Sequence, residues 1–129
     1  MEEIYIPEDY VSLEVAKLLK DCGFNQYTFS SYNKNGIPEY HEVETRVAEG
    51  YQRPTHQMAL KWLRDVHHIR IGIVPYYFED SGEDGWIVEI DGTGMDGNTP
   101  FDVLLVFKKY EEATEKALKY CLKHFDDLV

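Results

Sequence analysis

The residues of this chain best suited to proton transfer or metal ligation gather in residues 54–68 (PTHQMALKWLRDVHH), which hold three of the five histidines. A zinc site shared by His56 and His67 is excluded by arithmetic. Eleven residues of helix separate them by roughly 16 Å along the axis, against zinc–imidazole bonds of about 2.1 Å. A smaller set, Asp65 with His67 and His68, could do acid–base work in a small enzyme, since Asp65 and His68 stand three apart on a helix with Arg64 beside them. The plainer role for His68 is to cap the last carbonyls of the helix and meet the negative end of its dipole. His41, beside Glu42 and Glu44, reads as part of a solvated strand face.

Residues 80–91 (DSGEDGWIVEID) place Asp80, Asp84, Gly85, Ile87 and Asp91 on positions of a calcium loop. Gly82 and Val88 supply no side-chain oxygen at the third and ninth positions, and the flanks read as strands where helices are needed. A hairpin turn explains these residues, and no metal site is expected. There is no Gly-x-Ser-x-Gly elbow, no Cys-x-x-Cys pair, and no glycine-rich phosphate loop followed by Lys and Ser or Thr. No catalytic or cofactor-binding residue is therefore assigned. The ten tyrosines are more telling. Tyr27, Tyr32, Tyr40, Tyr51, Tyr76 and Tyr77 fall on or near hairpins, where amphipathic rings form either the half-exposed face of a sheet or a contact surface. Tyr27, Tyr32, Tyr40, Tyr76 and Tyr77 are the candidate partner surface.

These residues need elements to carry them. Residues 1–11, with Ile4, Tyr5, Ile6 and Tyr10 around Pro7, form an arm that docks on the core. Ser12 is the N-cap of a helix that closes before Gly23 and buries Val15, Leu18, Leu19 and Cys22. Residues 26–32 and 37–45 form a hairpin across Asn35-Gly36; its register is left open because Tyr27, Phe29 and Tyr32 do not keep period two. A loop, 47–53, delivers the segment against which the rest is laid, a helix capped by Thr55 with Met58, Ala59, Trp62, Leu63 and Val66 as its apolar stripe. Ile69, Ile71 and Ile73 then alternate along a strand whose Pro75 marks an edge or bulge. A turn at 79–85 leads to a partner strand at 86–90. Residues 91–100 read as an exposed loop, 101–107 (FDVLLVF) as a central or covered strand, and 110–126 as a last helix. That helix buries Ala113, Ala117, Cys121 and Phe125, with Tyr110, Leu118 and Leu122 beside them.

Short turns force antiparallel pairing. The expected fold is α+β and two-layered: an antiparallel sheet of about five strands built from hairpins, with three helices mainly on one face. A chain of 129 residues that is 43% hydrophobic suits one domain, 1–129. The net charge of -11, with no basic cluster beyond Lys108-Lys109, opposes direct nucleic-acid binding. Cys22 and Cys121 lie on apolar helix faces as buried thiols. The acidic start is no secretory signal, and no run approaches the ~20 apolar residues of a membrane span, so a cytoplasmic protein is expected.

Residues 54–69 (PTHQMALKWLRDVHHI), with 6–24 and 110–125, resemble a family of short uncharacterised proteins carried by prophages and other mobile elements of gut anaerobic bacteria. A shorter similarity, a strand followed by a helix opening Glu-Glu-Ala, is to antitoxin subunits of HicB type. The family resemblance implies an accessory protein and transfers no functional residue. The expected function is binding to a protein partner, or to a second copy that covers the sheet edge. The alternatives are an acidic nucleic-acid mimic that inhibits a host DNA-binding enzyme, and the small enzyme using Asp65, His67 and His68.

Overall fold

The computed structural model describes residues 6–92 and 106–129. Along the chain run α1 (Leu13–Asp21), β1 (Thr28–Tyr32), β2 (Pro38–Thr45), β3 (Tyr51–Gln52), α2 (His56–His67), β4 (Arg70–Tyr77), β5 (Asp84–Asp91), α3 (Tyr110–Lys123) and α4 (Phe125–Leu128). The class is α+β with antiparallel pairing throughout. The strands divide into two sheets, a three-stranded one ordered β2-β1-β3 and the ribbon β4-β5, where a single sheet was expected. The third strand comes from the segment read as a loop. Its pairing covers only Ser31 with Gln52 and Tyr32 with Tyr51, too short to leave an alternating pattern.

Both anticipated caps form. The Ser12 hydroxyl accepts the Val15 N–H at 3.1 Å and the Thr55 hydroxyl accepts the Met58 N–H at 3.2 Å. α1 stops at Gly23, whose φ of +92° is open to glycine at little cost. α2 ends differently: His68 itself turns left-handed (φ 57°, ψ 30°), so its backbone, not its imidazole, closes the helix onto the Leu63 carbonyl. The stripe of α2 also needs correction. His56, Ala59, Trp62 and Leu63 are buried, Met58 is half-buried, and Val66 is 53% exposed. In the last turn His67 packs in its stead, edge-on to both Trp62 at 4.6 Å and Phe125 at 4.7 Å.

Two steps along β1, from Thr28 to Ser30, are matched by five along β2, from Thr45 to Tyr40. This bulge is the reason the aromatics of β1 lose period two. The β4-β5 ribbon keeps one register from Arg70 opposite Asp91 to Tyr77 opposite Asp84. Pro75 faces Trp86, whose N–H and carbonyl turn the other way to bond Phe107 at 2.7 and 2.9 Å. The proline thus occupies a non-hydrogen-bonded place on an outer strand, where a missing N–H is harmless. Because 84–91 is extended, its oxygens alternate between faces and cannot wrap a cation as a calcium loop does. Of the strand expected at 101–107 only its end is described, with Phe107 buried against Trp86; the rest of it, and the 91–100 loop beyond Gly92, lie outside the described residues.

α3, more than α2, is the hub: it lies against α1, α2, β4 and β5. Ala113, Thr114, Ala117, Leu118, Cys121 and Leu122 are buried along it, and the helix breaks at His124 before α4, short of the expected end. Phe125 is half-buried on the far side of that break. Of the N-terminal arm, Ile4 and Tyr5 lie outside the described residues, and docking is seen at 9–11. Val11 is fully buried and donates to the Pro54 carbonyl at 3.0 Å, while the His56 N–H donates to the Asp9 carbonyl at 2.7 Å. Ile6 does not join it, being 82% exposed. One apolar cluster links the arm, α1, α2, α3 and both sheets. Among the described residues no helix is long and apolar enough to cross a membrane.

Candidate functional site

Arg53 follows β3 directly, and its N–H donates to the Ser30 carbonyl at 3.0 Å, continuing the pairing with β1. Ser30 is in turn the cross-strand partner of Tyr40. Cross-strand partners share a face, so Arg53, Ser30 and Tyr40 are brought together by register alone. The guanidinium lies 4.3 Å from the ring centre of Tyr10, 5.3 Å from that of Tyr32 and 5.4 Å from that of Tyr40. Its Nη1 donates to the Ser30 hydroxyl at 3.1 Å and to the Tyr40 hydroxyl at 3.0 Å. Its Nε is buried with no acceptor among the described residues. Burial works against the charged form and is outweighed by the guanidinium's interactions with the Tyr40 and Tyr32 hydroxyl oxygens, which hold its proton above the ordinary range. No described carboxylate pairs with it.

The five-tyrosine surface is therefore divided and partly misassigned. Tyr40 is 67% exposed and meets half-buried Tyr10 edge-on at 6.0 Å. Tyr32 is a floor, not a contact surface: it is 8% exposed and its hydroxyl donates to the Val11 carbonyl at 2.7 Å. Tyr27, just before β1, is exposed under the Arg46 guanidinium at 5.3 Å. Tyr76 and Tyr77 sit at the tip of the other sheet, exposed beside a cleft of about 430 Å³ that also involves Pro75, Asp84, Trp86 and Lys108. Sequence reasoning missed Arg53 because neither an isolated arginine in a loop nor Tyr10 in the arm carries periodicity; the position falls into place only once β3 pairs with β1.

The enzyme set does not assemble. Asp65 pairs with neighbouring Arg64 at 3.4 Å on the surface. His67 is wedged between Trp62 and Phe125, where burial, with His68 nearby, pushes its pKa down. None of the three lines the clefts described here. Ser31 and His41 do approach to 2.8 Å, a nucleophile–base distance. Yet Ser31 is buried within β1, and no described carboxylate orients the imidazole, so the pair acts as a cross-strand tie. Cys121 is fully buried and its thiol is pushed up to about 12 by that burial, which makes it inert.

A second polar centre was also missed. His56 is buried at the start of α2, with Nε2 at 2.7 Å from Glu115 Oε2, and the other oxygen of Glu115 accepts the Ser12 N–H at 3.1 Å. Burial raises the Glu115 pKa, but the hydrogen bonds from His56 and Ser12 outweigh it and hold the carboxyl below its usual range. The spacing 56, 59, 63 puts His56 on the buried face of α2, and that signal was available in the sequence. Its partner, on another helix, was not. Comparison of the chain with protein-family models, with curated proteins and with solved structures finds no match.

Proposed function

We propose that this chain is a non-enzymatic accessory protein that works by binding another protein through the Arg53, Tyr10 and Tyr40 patch. One observation carries the reading: a charged guanidinium walled by tyrosines at the surface, with no described carboxylate to neutralise it and one buried N–H unspent. Arginine and tyrosine are the side chains that concentrate binding energy in protein interfaces, through area, stacking and directed hydrogen bonds. The chemistry asks for a partner that presents a carboxylate or carbonyl acceptor to Arg53 and an apolar surface to Tyr40. The resemblance of the terminal and central segments to short prophage proteins supports a cytoplasmic role in the service of a mobile element.

The experiment is affinity capture from cells carrying the parent element, with wild type, Arg53→Ala and Tyr40→Ala as parallel baits. A specific partner should be recovered by wild type and lost with both variants. Equal recovery by all three baits places the interface elsewhere and overturns the reading. Sedimentation of the purified chain distinguishes a second copy as the partner, since that association is concentration-dependent and would be weakened by the same substitutions.

A further inference from the structure

A second polar feature lies on the other side of β3. Where α1, the loop between β2 and β3, and β3 itself meet, a cleft of about 190 Å³ opens, walled by Lys20, Phe24, Asn25, Arg46, Val47 and Gln52. Both charged residues in its walls are cations, and no carboxylate joins them, in a chain with 24 acidic residues against 13 basic ones. Neither cation is spent on an ion pair within the described residues. Lys20 gives one hydrogen bond, to the Gly50 carbonyl at 3.2 Å, and lies 5.0 Å from the ring centre of Tyr51, which leaves ammonium protons for a further acceptor. The Arg46 guanidinium rests against Tyr27 and donates no hydrogen bond to a described residue.

The frame that holds these groups is built rather than incidental. The Gln52 amide donates to the Thr45 carbonyl at 2.8 Å and to the Thr28 hydroxyl at 2.7 Å, and its oxygen accepts the Val47 N–H. One side chain thus pins the β2–β3 loop at two points. Gly50 fixes the far end with a φ of +91°, so close to β1 that a Cβ there would fall 2.1 Å from the Tyr32 carbonyl. Phe24 and Val47 add apolar surface to the lining. Two cations without a described carboxylate partner, on a pinned frame with an amide and apolar surface, are the complement of a small molecule with one oxyanion.

We propose that this cleft binds an oxyanion, a phosphate or carboxylate group carried by a small molecule, between Lys20 and Arg46. This site is independent of the protein-binding reading, since Arg53 and Tyr40 take no part in it. The test titrates isotopically labelled protein with inorganic pyrophosphate and, separately, with succinate at constant ionic strength, following the amide signals of Asn25, Val47 and Gly50. Saturable shifts are expected in at least one arm, and the arm that responds assigns phosphate or carboxylate. Arg46→Glu should weaken that binding by roughly tenfold or more, while Lys116→Glu, the same charge change on an exposed part of α3, should alter it by less than about twofold. The Arg46 side chain is exposed and carries no described hydrogen bond, so its variant should fold. Absence of saturable shifts in both arms, or an equal loss with Lys116→Glu, overturns the proposal.

Discussion

Glu115 reaches His56 at 2.7 Å across 59 residues of sequence, and its second oxygen takes the N–H of the α1 cap residue, Ser12. One carboxylate therefore joins the starts of α1 and α2 to α3. The sign of its pH dependence follows from its lowered pKa: its contribution is present above the unfolded value, near 4.5, and is lost as pH falls through the lower folded value. Glu115→Gln keeps an acceptor for Ser12 but discards the charge. At neutral pH it should cost about 1–3 kcal/mol. Thermal melts at a series of pH values should show the gap between wild type and variant narrowing below pH ~4.5. A gap that stays constant down to the acid limit would show that the charge of Glu115 contributes nothing.

Trp62 anchors the opposite end of α2. It is 6% exposed, edge-on to Phe24 at 5.2 Å and to His67 at 4.6 Å, and stacked with Phe125 at 6.4 Å. Trp62→Ala would empty a site shared by α2, α4 and the segment after α1, for a loss of ~3–5 kcal/mol. Urea denaturation measures it. Val66→Ala, by contrast, removes an exposed side chain and should change stability by less than about 0.5 kcal/mol, which checks the corrected stripe directly.

Gly50 and Gly23 have nearly the same φ, +91° and +92°, yet very different surroundings. A Cβ at Gly23 meets nothing within 4 Å, so Gly23→Ala pays only for the left-handed backbone, about 1 kcal/mol. At Gly50 the same methyl strikes the Tyr32 carbonyl, and the loop must leave β1 to accommodate it. The loss there should exceed that of Gly23→Ala by roughly 2 kcal/mol or more. Equal melting temperatures for the two variants would mean that the loop is not pinned as described.

What the sequence made legible were features with a local physical cause. Ser12 and Thr55 announce helix starts because a hydroxyl there has a specific N–H to accept, and Ala113, Ala117 and Cys121 announce a buried row because a helix repeats them on one side. Ile71 and Ile73 reveal β4 in the same way. The division into two sheets left no such mark. It depends on Tyr51 and Gln52 pairing with β1, a contact between segments each too short to show a period. Arg53 and Glu115 were missed for a related reason: each is one residue whose meaning comes wholly from partners far along the chain. His68 shows a third kind of limit, since a left-handed cap was made without the glycine that usually signals it.

The last prediction separates structure from recognition within the tyrosine cluster. Tyr32 and Tyr40 both contact Arg53, but the Tyr32 hydroxyl is buried and donates to the Val11 carbonyl, which fastens the arm to β1. Tyr32→Phe leaves that carbonyl without its donor and should cost about 1 kcal/mol. Among the described residues the Tyr40 hydroxyl, on an exposed ring, accepts only from Arg53 Nη1, so Tyr40→Phe should leave the melting temperature nearly unchanged. It would instead free Nη1 to bond elsewhere and shift capture of the partner. If both variants lowered stability equally, Tyr40 would belong to the scaffold as much as Tyr32 does. The patch would then lose the residue that gives it a face toward a partner.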